Sequence, residues 1–213
     1  MTRHPVPINH CNACGAKVEY RVPPGDTHAR AICPACGHIQ YQNPKVVVGS
    51  VPVWEERILL CRRAIEPRHG KWTLPAGFME NNETAPEGAA REALEEANAR
   101  IEVEQLYTLF SVPHISQVYV IFRARLLDLD FSPGVESLEV KLVREDEIPW
   151  DELAFASVRR TLAHFFEDRR TGMFLPRFGE SARPSASGRR GSLRRPRRRR
   201  PGRPRAGARA PSR

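Results

Sequence analysis

The sequence predicts an α/β fold in which helices cover a sheet on both faces, preceded by a small cysteine-held module. Two observations carry this expectation. Strand-like segments rich in β-branched and aromatic residues come in adjacent pairs and are mixed with two segments of helical period, a combination that buries its apolar faces best as helices against a sheet. Ahead of them, four of the five cysteines form two tight pairs, Cys11-x-x-Cys14 and Cys33-x-x-Cys36. A length of 213 residues has room for one full domain plus such a module.

The elements follow in order. Residues 1–40 are too few and too polar to build a core, so a metal has to hold them. The cysteine pairs stand 18 residues apart, within the range for a tetrahedral Zn²⁺ site, and Gly15 and Gly37 follow each pair where a knuckle turns tightly. Cys61, in the run Ile58-Leu59-Leu60-Cys61, is expected as a buried thiol. Lys45 to Trp54 and Arg57 to Arg62 pair as strands, and Lys71 to Leu74 forms a short strand leading into a Pro75-Ala76-Gly77 loop. A helix runs from Ala85 to Ala97. Ile101 to Ser111, Gln117 to Leu127 and Leu138 to Val143 are further strands, with a loop over Phe131 to Ser137. Ile148 to Leu153 is a helical turn. A last helix spans Phe155 to Arg169, with Val158, Leu162, Phe165 and Phe166 at helical spacing.

The helix over 85–97 carries the chemistry. Thr84-Ala85-Pro86-Glu87 has the form of a capping box with proline in the first turn, and Asn98 suits the left-handed position that ends a helix. Glu92, Glu95 and Glu96 sit at i, i+3 and i+4 and share one face. Like charges at that spacing repel by roughly 0.2–0.5 kcal/mol per pair, which makes sense if a divalent cation sits among them. Ala90, Ala93, Leu94 and Ala97 occupy the opposite face, narrow enough to lie close on a sheet.

Gly77, Glu83 and the run Arg91-Glu92-Ala93-Leu94-Glu95-Glu96, at their spacing, resemble the Nudix box of hydrolases that cleave nucleoside-diphosphate derivatives. Asn82 and Asn98 stand where that box commonly has glycine; asparagine tolerates the positive φ required. The resemblance runs from about residue 41 to 170. It implies an α/β/α sandwich with a mixed sheet and a catalytic Mg²⁺ or Mn²⁺. It further implies that Glu92 and Glu96 are the main ligands with Glu95 assisting, and that Arg91 pairs with Glu83 to hold the loop that begins at Gly77. A general base often lies outside the box in this family. Glu136, on the glycine-containing loop after Pro133, is the preferred candidate, and Glu139 is an alternative base or a further ligand.

Arg62 and Arg63 are candidates for binding substrate phosphates, with a solvated strand end as the alternative. Trp72 and Phe78 are candidates for stacking on an adenine or flavin ring, with core packing as the alternative. The stretches YQNPKVVVG, CRRAIEPRHGKWTLPAGFME and FSPGVESLEV are similar to the branch that cleaves ADP-ribose and flavin adenine dinucleotide. NADH pyrophosphatases share the order of modules, but the Ser-Gln-Pro-Trp-Pro-Phe-Pro signature they usually carry is replaced here by Ser111-Val112-Pro113-His114-Ile115-Ser116. A regulator that senses ADP-ribose and binds nucleic acid is disfavoured by the intact carboxylate set.

The net charge of +9 is unevenly placed. Residues 181–213 hold 13 arginines and no carboxylate, leaving 21 basic and 25 acidic side chains in the body, a net −4. The expected organisation is a zinc ribbon over 1–40, a hydrolase domain over 41–175 and a disordered Arg/Pro-rich tail over 181–213, whose composition fits a solvated segment with no selected role and, as the alternative, non-specific binding of polyanions. The expected partner is a small nucleoside diphosphate derivative, and a homodimer is compatible with this reading. No apolar run reaches the ~18 residues of a membrane span, and the N-terminus has no secretory h-region, so a cytoplasmic location is expected.

Overall fold

Alternation along one strand sorts the interior into two halves. In Arg57–Arg63, Ile58 and Leu60 enter one apolar cluster and Leu59 and Cys61 enter the other, all essentially fully buried. This strand is β5 of a computed structural model that describes residues 7–181. The expected tail lies outside the described residues from position 182 onward.

Three short strands, β1 (Glu19–Arg21), β2 (Arg30–Ile32) and β3 (Ile39–Gln40), form an antiparallel sheet around the cysteine pairs. The main sheet contains β4 (Lys45–Trp54), β5, β6 (Trp72–Thr73), β7 (Ala76–Phe78), β8 (Ile101–Val112), β9 (Gln117–Leu126), β10 (Ser137–Val143) and β11 (Arg177–Glu180). Its order is β10-β5-β4-β9-β8-β11, with β6 on β5 and β7 on β4. The sheet is mixed: β4 runs parallel to β9 and β11 parallel to β8, while the other pairs are antiparallel.

Helix α1 (Ala85–Ala97) covers one face and helix α2 (Ala156–Thr171) the other. On the α2 side, Val158, Leu162, Phe165 and Phe166 pack with Val51, Leu60, Leu74, Tyr107 and Ile121. Phe165 meets Phe166 and Tyr107 edge-on, with ring centroids 5.6 and 6.2 Å apart. On the α1 side, Ala97 and Ala99 meet Leu59, Cys61 and Leu126.

Two strands differ from the sequence expectation. Ala76–Phe78 was expected as loop; it pairs with Val47, Val48 and Gly49 of β4, and Gly49 is needed there because a Cβ would stand 2.3 Å from Ala76 Cβ. Arg177–Glu180 was not expected at all, and it extends the sheet beyond β8.

Beneath β11 lies a buried polar cluster. Asp168, 4% exposed, accepts from the Tyr107 hydroxyl at 2.8 Å and is clamped by the Arg177 guanidinium. Burial would raise its carboxyl, but the bonds from Arg177 and Tyr107 outweigh burial and hold it below the ordinary 3.8. A carboxyl depressed in this way stabilises the fold above pH 3.8, and that contribution is lost as pH falls through the lower native value. Asp168→Ala leaves the Tyr107 hydroxyl without its acceptor and is expected to cost about 1–3 kcal/mol at neutral pH. Denaturant melts at neutral pH and near ~pH 3 should show that difference narrowing in acid; an equal loss at both would contradict the ion-pair account.

Candidate active site

The site is built where α1 presses on β7. Thr84 caps the helix: its hydroxyl accepts from Glu87 N while Glu87 Oε2 accepts from Thr84 N at 2.7 Å. Asn98 closes it at φ 48°, in the left-handed region, and Asn82 sits at φ 66°. The expected helix limits, Ala85 and Ala97, match those observed.

The expected orientation of this helix is corrected. Leu94 was placed on the packing face but is 51% exposed. The buried face is Gly88, Ala89, Glu92, Ala93, Glu96 and Ala97, so two of the three glutamates point inward, at 7% and 6% exposure. Glu95 stays at the rim with its side chain 59% exposed. Small residues permit this approach. A Cβ on Gly77 would stand 2.3 Å from Glu92 Oε1, and one on Gly88 would stand 2.6 Å from Glu83 Oε1.

Arg91 organises the acidic side chains. It makes five hydrogen bonds: Nε and Nη2 to the two oxygens of Glu83 at 3.0 and 2.9 Å, Nη1 to Glu92 and Glu95 at 2.8 and 2.9 Å, and Nη2 to Phe78 O at 3.0 Å. Its bidentate grip draws the Glu83 carboxyl down to about 2, aided by the Glu80 N–H. The expected Arg91–Glu83 pair is present, and Arg91 also reaches both rim and buried glutamates.

Glu96 has less compensation. Ala76 N–H donates to its Oε2 at 3.2 Å. Burial nevertheless pushes its carboxyl up to about 8, with the charges of Glu92 and Glu136 adding to the rise. Glu92 is raised for the same leading reason, burial, with Arg91 opposing and Glu95 and Glu136 adding. Two buried carboxyls that repel each other fit a divalent cation by charge and by donor chemistry. Their oxygens are not yet gathered for one. Among the described residues only the four cysteines hold three or more potential metal donors within 4.8 Å of one another.

The loop after Phe131 closes on the helix end. Ser132 N–H donates to Ala97 O at 2.9 Å and Gly134 N–H to Glu96 O at 3.0 Å, while the Asn98 amide donates to Ser132 O at 3.1 Å. The other end is tied by Ala64 N–H to Glu136 O at 2.8 Å. Glu136 thereby stands exposed, close enough for its charge to act on both buried glutamates. Asn98 thus both ends the helix and fastens this loop, a task glycine cannot perform.

Glu139 does not join them. Lying on β10, it pairs with Lys141 at 2.8 Å and Arg62 at 3.6 Å, and these cations, Lys141 foremost, hold its carboxyl below the usual range. The two arginines part ways accordingly. Arg62 faces Glu139 and donates to Gly70 O at 3.0 Å. Arg63 is buried, donates to Pro67 O at 3.0 Å and lies near enough to lower the Glu96 carboxyl by its charge. Trp72, a stacking candidate, is instead 7% exposed within the α2-side core. Phe78 is 46% exposed, with Lys45 Nζ 4.9 Å from its ring centre, and keeps an open face.

The cysteine site is compact. Cys11 and Cys36 sulfurs lie 3.7 Å apart and those of Cys14 and Cys33 3.5 Å apart, and all four cysteines are unbridged. The four sulfurs, which lie within 4.8 Å of one another, form a donor set suited to a thiophilic cation.

Comparisons with known proteins agree with this geometry. Residues 43–167 match the family model described as NUDIX domain, and residues 9–42 match the model described as Nudix N-terminal. The chain belongs to the Nudix family and carries a zinc-ribbon module before its hydrolase domain. A NUDIX hydrolase from Nitrosomonas europaea, solved as a crystal structure, is 57% identical with a TM-score of 0.78, covering 82% of this chain and all of its own. Among curated relatives, a MutT-like protein of Streptomyces ambofaciens is 35% identical over 48% of this chain, which spans 66% of its length, just under two thirds. An ADP-ribose pyrophosphatase of Methanocaldococcus jannaschii is 28% identical over 54% of this chain and 69% of its own. Among the described residues no helix is long and apolar enough to cross a membrane.

Gly134 offers a direct test of the loop. A Cβ there would stand 1.8 Å from Glu95 O, a backbone atom with no room to give. Gly134→Ala is expected to cost about 1–3 kcal/mol by overpacking and to displace Glu136 from the site. Thermal melts with hydrogen exchange at Gly134 and Ser132 would read this; wild-type stability with both amides still protected would show that the loop is not clamped as described.

Proposed function

We propose that the chain hydrolyses the diphosphate bond of an ADP-linked small molecule, ADP-ribose or flavin adenine dinucleotide, releasing AMP with the help of Mg²⁺ or Mn²⁺. The observation that carries this is the pair of buried glutamates one helical turn apart, Glu92 and Glu96, pressed against the Ala76–Phe78 strand. The choice of ADP-ribose draws support from the relative in Methanocaldococcus jannaschii, an ADP-ribose pyrophosphatase.

Glu92 and Glu96 would hold the cation, with Glu95 assisting from the rim. Once bound, a divalent cation neutralises diphosphate oxygens and lowers the pKa of the attacking water. Glu136, on the clamped loop, takes the proton from that water. Arg63 offers a cation to the phosphates, and Phe78 offers its open face to the ring of the base. Arg91 binds no substrate in this reading; it holds Glu83, Glu92 and Glu95 in register. The cysteine site would hold one Zn²⁺ as a structural ion. The proposed units are a ribbon over 1–40 and a hydrolase domain over 41–175, with a cytoplasmic location and non-specific polyanion binding by the Arg/Pro-rich tail.

The experiment is AMP release from ADP-ribose, FAD, NADH, NAD and CoA with Mg²⁺ or Mn²⁺. ADP-ribose or FAD should lead the panel, and inactivity on all five would overturn the proposal. Glu96→Gln should lower turnover by orders of magnitude, and Glu136→Gln by less, with an altered pH profile. The metal-free fold should respond in the opposite sense. A carboxyl raised from 4.5 to about 8 makes stability fall as pH rises through that window, because the native state holds the proton more tightly. Metal-free Glu96→Gln should therefore melt above wild type at alkaline pH. An active or a destabilised variant would refute the role given to Glu96.

For the ribbon, one tightly held Zn²⁺ per chain is expected by metal analysis of protein purified without added zinc. Cys14→Ser or Cys33→Ser should abolish it and release residues 1–40 to proteolysis first. Two disulfides and no metal would refute it.

A further inference from the structure

We infer, resting on the ADP-linked substrate proposed above, that Gln117 reads the base of that substrate with an amide held in one orientation by Tyr119, and that it selects a 6-amino purine over a 6-oxo purine. Strand pairing gathers the residues concerned. Phe78 of β7 and Tyr119 of β9 both pair with Val47 of β4, and Gln117 of β9 pairs with Lys45 of β4. Directly paired residues, and residues two apart on one strand, share a face of a sheet. These five side chains therefore form one shelf. It lies on the face away from α1: a Cβ on Gly77 would point at Glu92, so Phe78, the next residue, points the other way.

Val47, buried, is the floor of the shelf, and Phe78 and Lys45 stand open beside it. β7 and β9 are two strand spacings apart, about 10 Å. A ring stacked on Phe78 and the half-buried Gln117 side chain together bridge that width. Arg63 joins the shelf to the acidic site: its charge acts on Glu96 under α1 and on the Tyr119 phenol on the opposite face. Its guanidinium also lies 5.3 Å from the ring centre of Phe155, at the start of α2. One molecule can therefore set a diphosphate at Glu92 and Glu96 and its base on the shelf.

A free amide can present either end, and the neighbours of Gln117 remove that freedom. Burial raises the Tyr119 phenol above its ordinary range, so it carries its proton. The Arg63 charge draws the lone pairs of the phenol oxygen toward itself and turns the O–H away. That O–H donates to Gln117 Oε1 at 3.1 Å. Gln117 is left with the N–H donors of Nε2 and one lone pair of Oε1, side by side in a fixed order. Adenine matches such a pair along the edge that carries the N1 acceptor and the 6-amino donor. Hypoxanthine reverses both groups on that edge, with a 6-oxo acceptor and an N1–H donor, and meets the fixed amide with like facing like.

The test is calorimetric binding of AMP and IMP, which differ only along that edge, to the full chain with Mg²⁺. The wild type should bind AMP tighter by roughly tenfold or more. Tyr119→Phe keeps the ring and frees the amide to turn; Gln117→Glu keeps the shape and removes the donor. Each should bring the two affinities together, in Tyr119→Phe partly through a gain in IMP binding that a merely structural loss would not produce. Equal affinities in the wild type, no binding of either nucleotide, or a preference that survives in either folded variant overturns the inference. Circular dichroism reports folding, and should one variant fail to fold, the other decides. Inactivity on the hydrolysis panel with the AMP preference intact would instead overturn the proposed reaction and leave base recognition standing.

Discussion

The structure around the site depends on one guanidinium. Arg91 bonds to three glutamates and to the carbonyl of Phe78, so the loop, the rim and the buried face of α1 are fixed by one side chain. Lysine could not replace it, because only the planar fork can grip Glu83 at two points while still reaching Glu92 and Glu95. Around this cation negative charge is concentrated far above what a helix face would otherwise tolerate. The compensation is partial by design of the geometry: Glu83 is fully satisfied, Glu92 shares its donor with Glu95, and Glu96 receives a single backbone N–H.

The remaining imbalance is what makes the site useful. Beneath Glu96 the sheet offers Cys61, itself 1% exposed and with its thiol pushed up by burial and by the Glu96 charge. Such a floor screens poorly, so each carboxylate interacts with its neighbours, and with any bound cation, more strongly than it would in water. The cost of that arrangement is borne by the rest of the fold. The capping box, the alanine face and the aromatic cluster under α2 hold the helix and sheet in contact although the contact surface carries two carboxyls.

Much of this was legible in the residues. The helix limits followed from Thr84, Glu87 and Asn98, whose side chains act on the backbone beside them and need no tertiary information. The acidic motif itself was legible, but its orientation was not. Helical spacing reports that Glu92 and Glu96 share a face; hydropathy then assigns the inward face to Leu94, and the structure reverses this. The inversion has a physical cause: Gly88, Ala89, Ala93 and Ala97 on that face are small enough to let the helix close on the sheet, and Arg91 and the Ala76 N–H bond the two glutamates that come with them. Trp72 was ambiguous for a related reason: an aromatic beside a binding loop and an aromatic in a core look alike until β6 pairs with β5. Neither β7 nor β11 could be read locally, because each is a short segment held as a strand by its neighbour's register.

Glu136 and Glu139 show how far spacing alone can go. Three residues apart around Ser137, they are equivalent as exposed acids in a sequence. The chain separates them by what comes next: Ser137 enters β10, and from there Glu139 is directed to Arg62 across the strand pair and to Lys141 along it. A carboxylate held by two cations is a weak base and a reluctant ligand. Glu136, one residue before the strand, is held only through its backbone, by Ala64, so its side chain stays unengaged near the buried glutamates. The different surroundings of the two acids thus arise from where the strand begins, and that point is set in turn by Gly134, whose lack of a side chain lets the loop lie against Glu95 before it turns into the sheet.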